Sequence, residues 1–340
     1  MQPISGVNSP ATQTIAAATH AVKTDATTRT GQATSASVSP HEGPNTHKKQ
    51  GVLYAPFAGS DIVNMAIGKN MVRAQQGKPI YPLISSNEQD KATLEQLRTT
   101  QLSSWKNDYA ADLLFRQEYM DQMTQRGFTE QEARQYFPLG PEGFDKLQKG
   151  LTKYPPIIDA LTNLTIKSSN DLKSLSPDQH KLYVVGHGGA GMDILAADEG
   201  CQHGMATAKD VAHQLAESGL DKRFTDIRVT ACWSADTCAP TSFQKSALDL
   251  AAQPKTQRSG FLGLFGKQEL VAAPFAQILS NEMKREGFEQ PRVKGYHGIG
   301  MTFSSFIGDG EHHLRRLPKT QESDARASTV RQVFIPTKFV

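Results

Sequence analysis

The chain has 340 residues, of which 38% are hydrophobic, and this is enough to bury a sizeable core in one or two domains. Its 37 basic and 34 acidic residues are interspersed and leave a formal net charge of +3, which excludes the long basic surface of a nucleic-acid-binding protein. No stretch approaches the length of about 18 apolar residues that a transmembrane helix needs, so we expect no membrane span.

Residues 1–50 contain no aromatic residue and no leucine, and their only acids are Asp25 and Glu42. Such a segment cannot bury enough apolar surface to offset the entropy of ordering it, so it is predicted to be disordered. A Ser-rich, acid-poor N-terminus is typical of flexible tails and also of secretion or transit segments. A transit peptide would carry more arginine than the single Arg29, so the composition favours export by a bacterial injection system into the host cell cytoplasm, with a secretion chaperone as partner of this segment.

Residues 51–155 are predicted to be mainly helical. A short strand at 51–57 comes first, and Asp61 opens a helix after it. A long helical pattern follows over 88–126, and a capping-box sequence at 129–132 begins another helix. We interpret the apolar stripe of the long helix as packed core rather than a cofactor site; its members are Leu94, Leu97, Trp105, Tyr109, Leu113, Met120 and Met123. The pattern leaves open whether these helices form a separate lobe or a cover on a sheet.

Residues 156–340 show strands that alternate with helices. Strands are predicted at 182–185, 226–231, 292–296 and 330–335, and helices at 207–220, 242–252 and 269–286. This alternation predicts an α/β domain whose sheet is mainly parallel, with right-handed crossovers that place helices on both faces.

Two of these strands have, at their carboxyl ends, residues of the types used in nucleophilic catalysis. Gly186-His187-Gly188 follows the first strand, and Thr230-Ala231-Cys232 ends the second. Neighbouring parallel strands bring their carboxyl ends to one edge of the sheet, where ligands bind, so we expect His187 and Cys232 to share a cleft. A thiolate is the working nucleophile, and a neighbouring imidazole exchanges its proton. The sequence therefore predicts a Cys–His catalytic pair.

These two motifs resemble the His-Gly and Ala-Cys motifs of clan CD, the caspase-like cysteine peptidases, over about residues 181–303. Within the clan they are most similar to the autoprocessing domains of bacterial toxins and to type III effector proteases such as OspB. The resemblance implies a caspase-like sheet, His187 as general base and acid, Cys232 as nucleophile, and the backbone amides of Gly188 and Cys232 as oxyanion donors. Toxin-type members also use an orienting aspartate on an upstream strand. No motif identifies it here, and Asp61, just after the first strand, is the candidate.

The resemblance also implies activation by inositol hexakisphosphate, which in toxin-type members binds a basic patch and orders a flap of β-structure beside the cleft. The candidates for this patch are Arg292, Lys294, Arg315, Arg316, Lys319, Arg331 and Lys338. By charge counting alone these residues would make an ordinary solvated face. Their position, in the segment that forms the flap in the resembled family, favours the polyphosphate site.

Two other interpretations stay open. Structural zinc is the chemical alternative, because His187, Cys201, His203, Cys232 and Cys238 include enough ligands, but their spacings match no zinc signature and we expect no metal. The functional alternative is a non-catalytic effector that keeps the peptidase fold and binds a host protein through its helical region. If the chain is a peptidase, we expect it to cleave a host protein, or itself, after an apolar or small residue.

Overall fold

The structure is a computed structural model, and it describes residues 49–258, 268–301 and 313–337. The segment predicted to be disordered, 1–50, lies outside the described residues except for its last two, and Lys338 lies outside them as well. In chain order the elements are β1 Gln50–Ala55, α1 Ser60–Gln75, β2 Leu83–Ser85, α2 Glu88–Gln125, α3 Glu130–Gln135, α4 Gly140–Asn163, β3 Ile166–Lys167, a 3-10 helix Ser169–Ser174, β4 His180–Val184, β5 Ile194–Ala196, β6 Met205–Thr207, α5 Ala208–Glu217, β7 Asp226–Val229, α6 Lys245–Ala251, β8 Lys255–Arg258, β9 Gln268–Ala272, α7 Phe275–Arg285, β10 Arg292–Tyr296, β11 Ile299–Gly300, β12 Leu314–Arg316, β13 Ala325–Arg326 and β14 Arg331–Phe334.

A seven-stranded sheet forms the centre of the molecule, in the order β14-β10-β7-β4-β1-β2-β3. All neighbours run parallel except β14, which is antiparallel to β10. The central strands β1 and β4 are buried along almost their whole length, because parallel strands are covered on both faces and therefore consist of continuous apolar runs. The order of connection reverses between β1 and β4, and ligands bind outside the carboxyl ends of the strands at such a point.

The helices form two separate groups. α1, α2 and α4 pack against one another, and α5 packs against α7. The chain builds the sheet in opposite directions from the gap between β1 and β4, which is its topological switch point. Because the crossovers are right-handed, the two groups of helices lie on opposite faces of the sheet. The fold is therefore the predicted α/β arrangement of a parallel-rich sheet with helices on both faces, and it is consistent with a caspase-like fold.

The N-terminal helices cover the sheet and do not form a separate lobe. Strand β1 lies in the middle of the sheet, between β4 and β2, and the described residues belong to one compact unit. The boundary predicted after residue 155 falls inside α4, which continues through Pro155 and Pro156. The hydrogen bonds of β1 with β4 join residues 51–155 and 156–340 in one sheet, which answers the question that the sequence left open.

The long helix α2 confirms the predicted helix but not the predicted burial of its stripe. Leu94 and Met123 are buried, whereas Leu113 is 47% exposed. With 38 residues, α2 is about 57 Å long and extends past the sheet. Beyond the sheet, residues 110–150, which we call the helical tip, have a small core of their own in which Phe137 contacts the rings of Tyr119 and Phe144.

The helix predicted over 269–286 begins later than expected. Its first residues form β9, which pairs with β8 in a two-stranded antiparallel sheet, and α7 starts only at Phe275. The reason is Pro274, which disfavours the helical conformation at the residue before it and serves as the N-cap of α7.

A second small sheet lies after β10, in the order β11-β12-β13, and we call it the flap. No helix in the described part of the chain is long and apolar enough to span a bilayer.

Candidate active site

Asp61, His187 and Cys232 each follow one of three neighbouring strands. Asp61 comes after β1, His187 after β4 and Cys232 after β7. The register pairs Tyr54 of β1 with Val184 of β4, and Val184 with Val229 of β7, so the three strands end together. All three residues thus lie at the carboxyl edge of the sheet, at the switch point.

The His187 ring is oriented by Asp61. Nε2 of His187 and Oδ2 of Asp61 are 3.0 Å apart, and the two side chains are 15% and 33% exposed. Asp61 lies in the first turn of α1, where the helix dipole stabilises a carboxylate. With Nε2 facing Asp61, Nδ1 is the ring nitrogen left to exchange a proton with a thiol.

The backbone on either side of His187 is fixed by short contacts. Its amide donates to the Ala196 carbonyl at 2.8 Å, and the Ala196 amide donates back at 3.0 Å. A β-carbon added to Gly188 would lie 3.0 Å from the carbonyl oxygen of Cys232, so only glycine allows the two loops to approach this closely. In the described part of the chain, the amides of Gly188 and Cys232 have no hydrogen-bond acceptor, which leaves both free for an oxyanion.

Cys232 lies in a tight turn that also contacts the flap. The next residue, Trp233, has a left-handed backbone (φ 56°), a strained conformation that is often found at functional sites. The amide of Gly300 on β11 donates to Sγ of Cys232 at 3.3 Å. Cys232 and His187 line one small cavity together with Met65, Gly186, Thr230, Gly300, Met301 and Arg315.

A second cavity, of about 320 Å³, opens on the other side of the same two residues. Besides His187, Gly188 and Cys232, it is lined by Met192, Ile194, Ala196, Glu199, Cys201, Trp233 and Ile299. Most of this lining is apolar. The cavity can therefore hold an uncharged side chain next to the thiol.

A buried pair, which no sequence pattern indicated, joins the turn at Cys232 to the loop after β10. Oδ1 of Asp236 is 2.5 Å from Nδ1 of His297, and Oδ2 accepts from the Gly298 amide at 3.0 Å. Both side chains are at most 2% exposed. In return, the amide of Trp233 donates to the Gly298 carbonyl. Asp236 therefore holds two loops together, whereas Trp233 lines the larger cavity.

Three of the predicted polyphosphate ligands lie on one face of the sheet. Lys294 is in register with Arg228, and Arg331 with Tyr296, so their side chains share a face with Arg292. The sequence missed Lys181 and Arg228, which are on the same face of β4 and β7, and Lys69 of α1, whose ammonium lies 4.7 Å from the Tyr183 ring centre. We call this surface the basic sheet face: Lys69, Lys181, Arg228, Arg292, Lys294 and Arg331.

Asp226 is the acid at the centre of the basic sheet face. It accepts from Arg228 at 2.9 Å and from Lys294 at 2.8 Å. Burial acts to raise the pKa of Asp226, but the hydrogen bonds from these two cations outweigh it and hold the pKa well below its ordinary value. For Lys69, burial first, then the charges of Arg315, Arg228 and Lys181, lower the pKa to about 7. The face therefore carries more positive charge than its own acid can balance.

The remaining candidates for the patch lie elsewhere. Arg316 is exposed and paired with Asp324, and Lys319 is exposed in the turn after β12. Arg315 is only 4% exposed, and its donors point to backbone carbonyl oxygens. Its assignment to a surface polyphosphate site was wrong, because the guanidinium is enclosed behind Cys232.

The cysteines and histidines considered as zinc ligands do not come together as a metal site in the described part of the chain. All three cysteines are free thiols. Cys201 shares the larger cavity with Cys232, whereas His203 contacts Asp198. Over residues 49–258, 268–301 and 313–337, no three His, Cys, Asp or Glu side chains are close enough to hold a metal ion.

Comparisons with protein-family models, with curated proteins and with solved structures find no significant match to this chain.

Proposed function

We propose that the chain is a caspase-like cysteine endopeptidase of clan CD, exported by a bacterial injection system to cleave a host protein or itself. The observation that carries the proposal is the 3.0 Å contact of His187 with Asp61 at the sheet edge where Cys232 shares a cavity with His187. A thiol, an imidazole and an orienting carboxylate are the parts that nucleophilic acyl transfer needs.

The reaction follows from these positions. Cys232 gives its proton to Nδ1 of His187, and the sulfur attacks the carbonyl carbon of the scissile bond. The electron pair of the carbonyl double bond moves to oxygen, where the amides of Gly188 and Cys232 donate to it. The C–N bond then breaks, and the amine leaves with the proton from His187. Water attacks the thioester, returns a proton through His187, and releases the acid and the thiol.

The larger cavity supports an apolar residue before the cut. Its lining by Met192, Ile194, Trp233 and Ile299 would bury an aliphatic side chain, and about 1.5–3 kcal/mol is gained by burying one fully. A peptide-library profile should therefore favour leucine or methionine over aspartate, lysine or arginine at that position.

The basic sheet face supports activation by inositol hexakisphosphate. Arg292, Lys294 and Arg331 are three of the expected ligands. Burial, and after it the charges of neighbouring cations, lower the pKa of Lys69, so a polyanion there would relieve repulsion between these cations. The strand β10, which carries two of these residues, leads directly into the flap strand β11. A ligand that binds the ordered face more tightly would shift the population toward the ordered flap.

The catalytic assignment is tested by single substitutions. Cys232→Ala and His187→Ala should each abolish cleavage of the preferred peptide while unfolding stays cooperative. Cys238→Ala is the matched control, since Cys238 lines neither cavity. A Cys232→Ala protein that still cleaves at the wild-type rate would remove the assignment.

Polyphosphate activation is tested by thermal unfolding and by cleavage, with and without inositol hexakisphosphate. Melting temperature and activity should rise on addition, and both effects should weaken with salt and in an Arg292→Ala, Arg331→Ala protein. Arg223→Ala, an exposed cation on another surface, is the control. An unchanged melting curve together with full activity in its absence would refute activation and leave the catalytic assignment intact.

One observation favours a second candidate, a non-catalytic effector that binds a host protein. The helical tip exposes several large apolar side chains, namely Leu113, Leu114, Phe115, Tyr136 and Leu139. Thiol labelling separates the two functions. A peptidase should label Cys232 much faster than Cys201 or Cys238 near neutral pH, and His187→Ala should lose this preference, whereas equal labelling favours the binding protein.

A further inference from the structure

Arg315 is a cation enclosed directly behind the proposed nucleophile. It belongs to flap strand β12, and its guanidinium donates to the carbonyls of Thr230 at 2.9 Å and Ala231 at 3.1 Å, the two residues before Cys232. The ring of Tyr296 lies 4.8 Å from the guanidinium carbon. Arg315 is thus the link between the flap and the strand end that carries the thiol.

The guanidinium and the sulfur lie on two sides of Gly300. A β-carbon on Gly300 would be 2.8 Å from Nη1 of Arg315, and the Gly300 amide donates to Sγ of Cys232 at 3.3 Å. Arg315 and Cys232 also line the same small cavity. The guanidinium and the sulfur therefore face each other across Gly300 and a small cavity, and the guanidinium is almost wholly enclosed by protein, where the attraction between charges is stronger than in water.

No carboxylate forms an ion pair with Arg315 in the described part of the chain, and its Nε has no hydrogen-bond partner there. The nearest buried acid, Asp236, is already bound to His297 and Gly298. A buried cation that lacks an anionic partner is costly, and perturbed charged groups of this kind cluster at functional sites. Arginine stays protonated in proteins, so this charge is present whenever the site is assembled.

We infer that Arg315 is a positioning residue that stabilises the thiolate of Cys232 and holds the strand end at Thr230 and Ala231. This inference rests on the proposed function for its catalytic meaning. The proton leaves Sγ for Nδ1 of His187, and the negative charge that remains on sulfur faces the Gly300 amide and the Arg315 guanidinium.

The test is the pH dependence of Cys232 alkylation, followed by mass spectrometry with iodoacetamide from pH 5 to pH 10 on the full chain. Arg315→Met should move the half-maximal rate to higher pH by about one unit, so that labelling at pH 6.5 falls about tenfold. Arg315→Lys should retain most of the wild-type profile because it keeps the charge. Arg316→Met is the matched control, since the adjacent arginine points away and pairs with Asp324.

An unshifted profile in a cooperatively folded Arg315→Met protein would overturn the inference. If that variant does not fold, the wild-type chain is compared with Arg315→Gln. A wild-type Cys232 profile no lower in pH than that of Cys238, or one that Arg315→Gln leaves unshifted, would overturn the inference. A lower profile that Arg315→Gln shifts upward would support it. Alkylation needs no peptide substrate. A profile that Arg315→Met shifts, in a chain that cleaves no peptide, would therefore refute the peptidase and support the cation–thiolate pair. Cleavage together with an unshifted profile would support the peptidase and refute the cation–thiolate pair.

Discussion

Asp61 decides which nitrogen of His187 is available to the thiol. Its carboxylate holds Nε2 at 3.0 Å, and an amide in its place could not favour the same proton arrangement on the ring. We expect Asp61→Asn to lower kcat by about 10²-fold with little change in KM, because the loss concerns proton transfer and not substrate binding. Steady-state kinetics on the preferred peptide measures it.

The control for this substitution is Asp108→Asn, the same chemical change at an exposed carboxylate of α2. If Asp61→Asn turns over as fast as Asp108→Asn, the orienting role of Asp61 is lost. The sequence suggested Asp61 only through its place after the first strand. The contact itself depends on the pairing of β1 with β4, whose residues are about 130 positions apart along the chain (Gln50 with His180), and no local pattern encodes that pairing.

Asp236 shows how one buried residue supports the site without facing it. It joins the nucleophile turn to the loop after β10 through His297 and Gly298. Removing one partner of a buried pair leaves the other unsatisfied, so Asp236→Ala should lower the free energy of unfolding by about 3–5 kcal/mol in urea titrations. Thr237→Val is the control, because the buried Thr237 hydroxyl has no hydrogen-bond partner among the residues that the structure describes. Equal effects of the two substitutions would contradict this account.

At the scale of elements, the helical tip is stabilised separately from the sheet. Phe137 is 5% exposed and packs against Tyr119 and Phe144, and none of these rings belongs to the main core. We expect Phe137→Ala to cost about 3 kcal/mol or more locally and to raise amide hydrogen exchange over residues 110–150. Exchange in β1, β4 and β7 should stay unchanged.

The neighbouring Tyr136→Ala is the control for this experiment, since Tyr136 is 63% exposed. Loss of protection throughout the sheet in Phe137→Ala would show that the tip and the sheet unfold together, against the prediction.

The elements that were predicted correctly are those with a strong local pattern. Strands β1, β4, β7 and β10 are continuous apolar or alternating runs, and helix α5 has its capping box at Thr207 and Asp210. The hairpin of β8 and β9 was missed, because Leu270 and Val271 suit a helix or a strand equally and only the pairing decides. Arg315 was assigned to the polyphosphate patch for a similar reason. Its charge is evident from the sequence, whereas its burial depends on contacts between strands that are far apart in the chain.

At the scale of the whole molecule, the basic sheet face makes stability depend on pH through Lys69. Its pKa in the folded chain is about 7, below the ordinary value of about 10.4, so the unfolded chain binds more protons between these values. The free energy of unfolding should therefore rise with pH above pH 7, by at most about 1.4 kcal/mol per unit. Lys69→Met should lose this rise.

Urea unfolding at pH 6.5, 7.5 and 8.5 measures the slope. Lys106→Met, an exposed lysine on α2, is the control and should keep it. If Lys69→Met and Lys106→Met both show the same slope as the wild type, Lys69 does not contribute to the pH dependence of the free energy of unfolding.

The central place of β1 has a mechanical consequence. The strand is hydrogen-bonded on both edges to parallel neighbours, β4 and β2, so a pull on the chain from its N-terminal side loads both rows of bonds in shear at the same time. In the described part of the chain, such a pull must break both rows of bonds before β1 can leave the sheet. The movement that extracts β1 also carries Asp61 away from His187, so the contact between the two side chains is lost and returns only when β1 has been inserted between its two neighbours.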